Sequence, residues 1–110
     1  MTTQQQQPAA SDWSQDVPAL RELTNSFLFG QIWERPQLSK RDRSMITVAV
    51  NAALYRTEQL RGHINRALDN GVTREEIAEI ILHLTFYSGW PTGVNAAQVA
   101  HEVFNQRGRS

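Results

Sequence analysis

The sequence predicts an all-α chain of about five to six helices, and three observations carry that prediction. Apolar residues between positions 18 and 104 recur at spacings of three and four, with no period-two alternation that would mark a strand. The breaks between these stretches hold helix-end chemistry: Ser39 with Asp42, Asn70-Gly71, Thr73 with Glu76, and Gly89 before Trp90-Pro91. The stretch Met45 to Leu54 is apolar or small on nearly every side, as expected of a helix buried among others.

Each element follows from local chemistry. Residues 1–16 are rich in Gln, Ser, Thr and Ala, with Trp13 the single aromatic, and read as a flexible N-terminal arm. Pro18 suits the first turn of a helix that runs to about Phe29, buries Leu20, Leu23, Phe27 and Leu28, and ends at Gly30. The connection QIWERPQL is expected to be extended at Ile32 and Trp33 and pinned by the aromatic, because a residue before proline is pushed out of the helical region. Ser39 opens the next helix, its hydroxyl and the Asp42 carboxylate serving the free amides and the positive dipole end.

After the break at Tyr55-Arg56, Thr57 is expected to cap a helix whose apolar stripe is Leu60, Ile64, Ala67 and Leu68, ending at Asn70-Gly71. Thr73 and Glu76 form a full capping box for the following helix. That helix carries a main stripe of Ile77, Ile80, Ile81, Leu84 and Tyr87, with a second apolar strip, Leu82 and Phe86, on nearly the opposite side. A last helix places Val94, Ala97, Ala100 or His101, and Phe104 at helical spacing. The helical domain is thus residues 17–105, and residues 106–110 form a frayed tail.

Composition narrows function. The 110 residues include eleven basic and eleven acidic side chains and no cysteine. Balanced charge leaves no field to hold a nucleic-acid backbone, and Arg35 to Arg43 is a short cluster with acidic Asp42 inside it. The lack of cysteine removes disulfides, thiolate metal sites and thiol nucleophiles. The start MTTQQQQPAASD has neither the basic nor the apolar region of a secretion signal, and no apolar run is long enough for a membrane, so the expected address is the cytoplasm. A chain this small buries proportionately little surface, and two apolar faces on one helix need two partners, so self-association is expected.

Two histidines lie on helix margins. His63 sits at the edge of the Leu60–Ile64 stripe, a position suited either to a hydrogen-bonded structural ring or to a group that is partly dry and still reaches substrate. His83 lies between two stripes, four residues after Glu79 and four before Tyr87, where an ion pair to Glu79 would raise its pKa. No two of His63, His83 and His101 have the spacing of a helical metal site, and no metal is expected. Ser44 and Ser88 lack the context of a nucleophile.

Phe29 to Phe104 resembles the carboxymuconolactone decarboxylase family in order, spacing and punctuation. The most specific pieces are IWERPQLSKRDR, EQLRGHINRALDNGVTREEIAEI, and YSGWP followed by a small-residue helix. The resemblance implies an all-helical subunit interlocked with its neighbours in a homohexamer or homotrimer. One branch of the superfamily, the alkylhydroperoxidase D type, uses a Cys-X-X-Cys pair followed by histidine. If that histidine is His63, the cysteine positions hold Arg56 and Gln59, and thiol peroxidase chemistry is excluded.

The other branch removes carbon dioxide from a carboxylated unsaturated lactone without a cofactor. For that chemistry the resemblance implies His63 as proton donor or dienolate stabiliser, with His83 and Glu58 as further catalytic candidates. Arg43 is the candidate carboxylate clamp, with Tyr87 and Trp90 beside the substrate. The sequence departs from the decarboxylase pattern at position 83, histidine in place of glutamine, and at GWPTGVNAA in place of G-x-PAAxxA. Those departures point to an altered substrate. Two rival readings are a family member acting on another small carboxylated or enolisable molecule, and a non-catalytic oligomeric binding protein.

Overall fold

The computed structural model describes residues 13–108, and among them every regular element is helical. The chain divides into two compact units, residues 1–37 and 38–110.

In the first unit, α1 (Trp13–Asp16) and α2 (Pro18–Glu22) lead into a π-helical segment, Leu23–Ile32. The wide winding shows where the Trp33 amide donates to Leu28 O, five residues back, at 2.9 Å. The Thr24 and Ser26 hydroxyls donate to the carbonyls of Leu20 and Glu22 at 2.8 and 2.7 Å, the back-bonding by which these residues perturb a helix. Three expectations are corrected here. Leu20, Leu23, Phe27 and Leu28 are exposed rather than buried. Gly30 does not end the helix, which continues to Ile32; its backbone stays on the negative-φ side, and a Cβ there would lie 3.1 Å from Asn25 O. Ile32 and Trp33 are helical rather than extended, because Pro36 restricts only Arg35. Trp33 does serve as a pin: it is 8% exposed, with its ring 5.5 Å from that of Phe29.

The second unit is built from α3 (Lys40–Ala53), α4 (Thr57–Asp69), α5 (Arg74–Ser88) and α6 (Trp90–Gly108). Packing runs α3 on α4, α4 on α6, α6 on α5 and α5 on α3, with a further α3–α6 contact across the middle. α4 and α5 therefore occupy opposite corners. The core comprises Val48 and Ala52 of α3, Leu60, Ile64 and Ala67 of α4, Ile77, Ile81 and Leu84 of α5, and Ala96, Val99, Ala100 and Val103 of α6, with Val72 closing one end.

Ser39 starts α3 as expected, its Oγ accepting from the Asp42 amide at 3.0 Å. The helix buries one stripe, Ser44, Val48 and Ala52, while Ile46, Val50 and Leu54 are exposed, so burial on nearly every side is not found. The buried Ser44 hydroxyl accepts from Asn70 Nδ2 at 2.9 Å, which ties α3 to the end of α4. Tyr55 takes a left-handed φ of 63°, turning the chain between the two helices. Thr57 is the first helical residue rather than a cap; Arg56 precedes it without a side-chain bond.

Gly71, at φ 96°, supplies the left-handed turn after α4. Thr73 then completes the capping box: Oγ1 accepts from the Glu76 amide at 3.0 Å, and Glu76 Oε1 accepts from the Thr73 amide at 2.9 Å. Arg41 of α3 forms an ion pair with the same Glu76, so one carboxylate serves the cap and links two helices. Thr73→Ala removes the hydroxyl half of the box and leaves the backbone-amide half, and is expected to cost about 1 kcal/mol in chemical denaturation.

On α5, Tyr87 is 80% exposed and lies outside the buried stripe in which it was expected. On α6 the buried face is Thr92, Gly93, Ala96, Val99, Ala100 and Val103, rotated from the expected one, and Val94 and His101 lie outside it. The rotation follows from Gly93, which sits against Thr85 of α5 so closely that a Cβ would come within 2.9 Å of Thr85 Cβ. Arg61 with Glu102, and Arg107 with Asp69 at 3.0 Å, bind α4 to α6, which runs to Gly108, beyond the expected end near position 105.

Candidate functional site

All six candidate site residues belong to the second unit. His63 projects from the middle of α4, one position before the fully buried Ile64, so the helix that builds the core also sets the ring at its margin. The ring is half-buried, and Nδ1 is enclosed without a hydrogen-bond partner. Burial holds the His63 pKa below the ordinary imidazole value, and the Arg66 guanidinium one turn on adds to the effect. Burial also disfavours the charge on Arg66, with the Asp69 carboxylate opposing that effect. The result is a neutral imidazole near neutral pH with a buried ring nitrogen unused by the fold.

A histidine with a depressed pKa binds fewer protons folded than unfolded, so its contribution to stability falls as pH drops through the unfolded value toward the folded one. The stability difference between the wild type and His63→Asn is accordingly expected to shift against the wild type from pH 7.5 to 5.5. Its slope is at most about 1.4 kcal/mol per pH unit, reduced by solvent reaching the ring. Urea denaturation at both pH values measures it. Glu76 and Glu102 titrate in a separate, more acidic window. The Thr73 amide and then Arg41 hold the first carboxyl low, and Arg61 and then Gln98 hold the second low.

Arg43 is half-buried near the start of α3, the helix packed on α4, so the candidate clamp and His63 stand on neighbouring helices. Glu58 is exposed in the first turn of α4, where its charge complements the helix dipole. It lies about 140° around the helix from His63. His83 is exposed on α5, and its ring stacks on Tyr87 with centroids 5.0 Å apart. The expected Glu79–His83 ion pair is not among those of the described residues. Trp90 is 63% exposed and meets Phe86 edge-on at 5.7 Å.

The structure thus brings Arg43 and His63 onto adjacent helices and pairs His83 with Tyr87 on α5, while Trp90 meets Phe86 across the α5–α6 turn. It does not bring the two histidines together, since α4 and α5 are at opposite corners. Among the described residues, no three of His, Cys, Asp and Glu cluster as metal ligands. Two features escaped sequence reasoning. Arg66 was legible as a cation three positions from His63, but its effect depends on the burial of both groups. The other is a recess of about 320 Å³ lined by Arg74, His101, Phe104, Asn105 and Gly108, which contains none of the candidates.

Fold and site together define a class: an all-helical, cysteine-free protein with a neutral histidine at the margin of its core. The profile of the carboxymuconolactone decarboxylase family matches residues 18–102. The chain is 39% identical over 98 residues to a 4-carboxymuconolactone decarboxylase of Acinetobacter baylyi, a match covering 89% of this chain and 71% of that protein. It is 33% identical over 85 residues to the nitrosuccinic acid decarboxylase npaB of Metarhizium robertsii, covering 77% of this chain and 59% of the relative. A third relative, an uncharacterised 15.0 kDa protein of Paracoccus denitrificans from the nqo9-nqo10 intergenic region, is 33% identical over 91 residues, covering 80% of this chain and 67% of that protein. The chain belongs to the carboxymuconolactone decarboxylase family. No helix of the described residues is long and apolar enough to cross a membrane.

Proposed function

We propose that the protein is a decarboxylase of a small carboxylated unsaturated lactone, working by acid–base chemistry without a cofactor. The observation that carries this reading is His63: half-buried, held neutral by burial, with a ring nitrogen enclosed and unused by the fold. Two of the relatives are named decarboxylases, which supports the reaction class.

The chemistry sets what the residues do. Breaking the bond to the carboxylate leaves an electron pair, which a conjugated lactone carbonyl accepts as a dienolate. Arg43 holds a carboxylate through the paired N–H groups of its guanidinium. The neutral His63 imidazole stabilises the developing oxyanion by donating its N–H, and the proton that reaches carbon comes from water through the ring, which takes a proton up at one nitrogen as it delivers one from the other and so ends neutral. Glu58, exposed at the start of α4, complements the helix dipole. His83, Tyr87 and Trp90 belong to a surface that becomes part of an enclosed site only when another subunit covers it. In support, Leu82, Phe86, Trp90 and Val94 make that surface apolar and exposed in the single chain, as a homohexamer or homotrimer requires.

A second reading has a specific observation behind it. The nitrosuccinic acid decarboxylase relative acts, by its name, on a substrate in which a nitro group can take the electron pair in place of a lactone carbonyl. Incubating the protein separately with 4-carboxymuconolactone and with nitrosuccinate, and measuring released carbon dioxide, separates the two. Turnover of the lactone alone supports the first reading, turnover of the nitro acid alone supports the second, and turnover of neither rejects both substrates.

A further inference from the structure

The recess at the end of α6 combines features that point to a ligand. His101, Phe104, Asn105 and Gly108 stand at i, i+3, i+4 and i+7, so they form one face of the helix, and Arg74 at the start of α5 closes the side. The Arg74 guanidinium lies 5.1 Å from the centre of the Phe104 ring, and Nη2 donates to Phe104 O at 3.3 Å. Stacking and hydrogen bond hold the guanidinium plane in place while using one of its five N–H donors. Arg74 forms no ion pair among the described residues, unlike Arg41, Arg61 and Arg107.

Among the described residues, no carboxylate lines the recess. Of the two acids adjoining it in sequence, Glu102 is engaged by Arg61 and Gln98, and Glu75 lies in the first turn of α5 beside Arg74. Gly108 leaves the space before the guanidinium open: a Cβ there would lie 3.7 Å from Arg74 Nη2. The volume of about 320 Å³ accommodates a small molecule.

We propose that this recess binds a small organic carboxylate, separately from the His63 site. The fixed guanidinium supplies paired donors matched to the two oxygens, the Asn105 amide and His101 ring supply further polar contacts, and one permanent positive charge suits a monoanion better than phosphate. Nothing in the proposal depends on the decarboxylase reading.

Sodium benzoate and inorganic phosphate, titrated separately in 150 mM NaCl into the full chain, provide the test by two-dimensional ¹H–¹⁵N NMR. The expected result is a saturable shift of the Arg74 Nε–H and Asn105 side-chain signals with benzoate, at least fivefold tighter than with phosphate. Binding should weaken at least tenfold in Arg74→Gln. Gly108→Val, which leaves the arginine and fills the space before it, should weaken it equally. Absence of a saturable shift with benzoate, phosphate binding as tight as benzoate, or benzoate affinity unchanged in both variants overturns the proposal.

Discussion

Replacing His63 with alanine is expected to lower kcat for decarboxylation by about 10²- to 10⁴-fold, the usual contribution of a positioned proton-transfer group. KM should change far less, because the proposed function assigns the substrate carboxylate to Arg43 rather than to the imidazole. The change is also distinguishable from unfolding. The ring sits at the margin of the core, while the fully buried neighbours that hold α4 in place are Leu60 and Ile64. Removing the imidazole leaves that stripe intact and relieves an enclosed, unpartnered nitrogen, so chemical denaturation at pH 7.5 should show little loss of stability. A purely structural histidine would give the opposite pattern, with stability lost and turnover per folded molecule kept.

Gly93→Ala is expected to destabilise the fold by about 2–3 kcal/mol, through overpacking rather than loss of a contact. The new Cβ would lie 2.9 Å from Thr85 Cβ and 3.1 Å from Thr85 Cγ2. Thr85 has little freedom to withdraw, since its hydroxyl is bonded to Ile81 O at 2.7 Å and its helix carries the buried Ile77, Ile81 and Leu84. The α5–α6 crossing must therefore widen and the interdigitation of Ala96 and Val99 with α5 be lost. Thr85→Ala in the same chain should recover part of the loss, because it removes Oγ1 and Cγ2 but leaves Cβ. Urea denaturation midpoints of the single and double variants measure both effects. Equal stability of Gly93→Ala and wild type would contradict the packing account.

The parts of the fold legible in the sequence are those fixed within a few residues. Ser39 with Asp42, Thr73 with Glu76 and Asn70-Gly71 mark helix ends because each acts through bonds or dihedral angles of its own turn. Stripes such as Leu60, Ile64 and Ala67 were legible because helical spacing alone puts them on one side. What the sequence concealed depends on distant neighbours. The face that α6 buries is set by Gly93 against Thr85, and spacing alone admitted Val94 just as well. Tyr87 sits at the right interval for the α5 stripe, but it stands one residue before the helix ends at Ser88 and is 80% exposed. Gly30 looked like a stop signal, although glycine ends a helix only where it takes a positive φ, as Gly71 does and Gly30 does not.

For the site, the margin position of His63 was legible from the stripe beside it. Its neutrality needed three dimensions, since it rests on burial and on Arg66. The distance between His63 and His83 was not legible, because two margins on two helices face one another only if those helices are neighbours, and α4 and α5 are not. The recess around Arg74 was hidden for the same reason: thirty positions separate Arg74 from Phe104, to which it is bonded.

The central claim is that His63 carries cofactor-independent loss of carbon dioxide followed by protonation at carbon. Its most direct measurement uses 4-carboxymuconolactone labelled with ¹³C in the departing carboxylate, in D₂O, followed by NMR. The account predicts ¹³C-labelled carbon dioxide and bicarbonate from the wild type, one deuteron on the product carbon per turnover, and both signals falling together by at least a hundredfold in His63→Ala. Undiminished release of label by His63→Ala would contradict it.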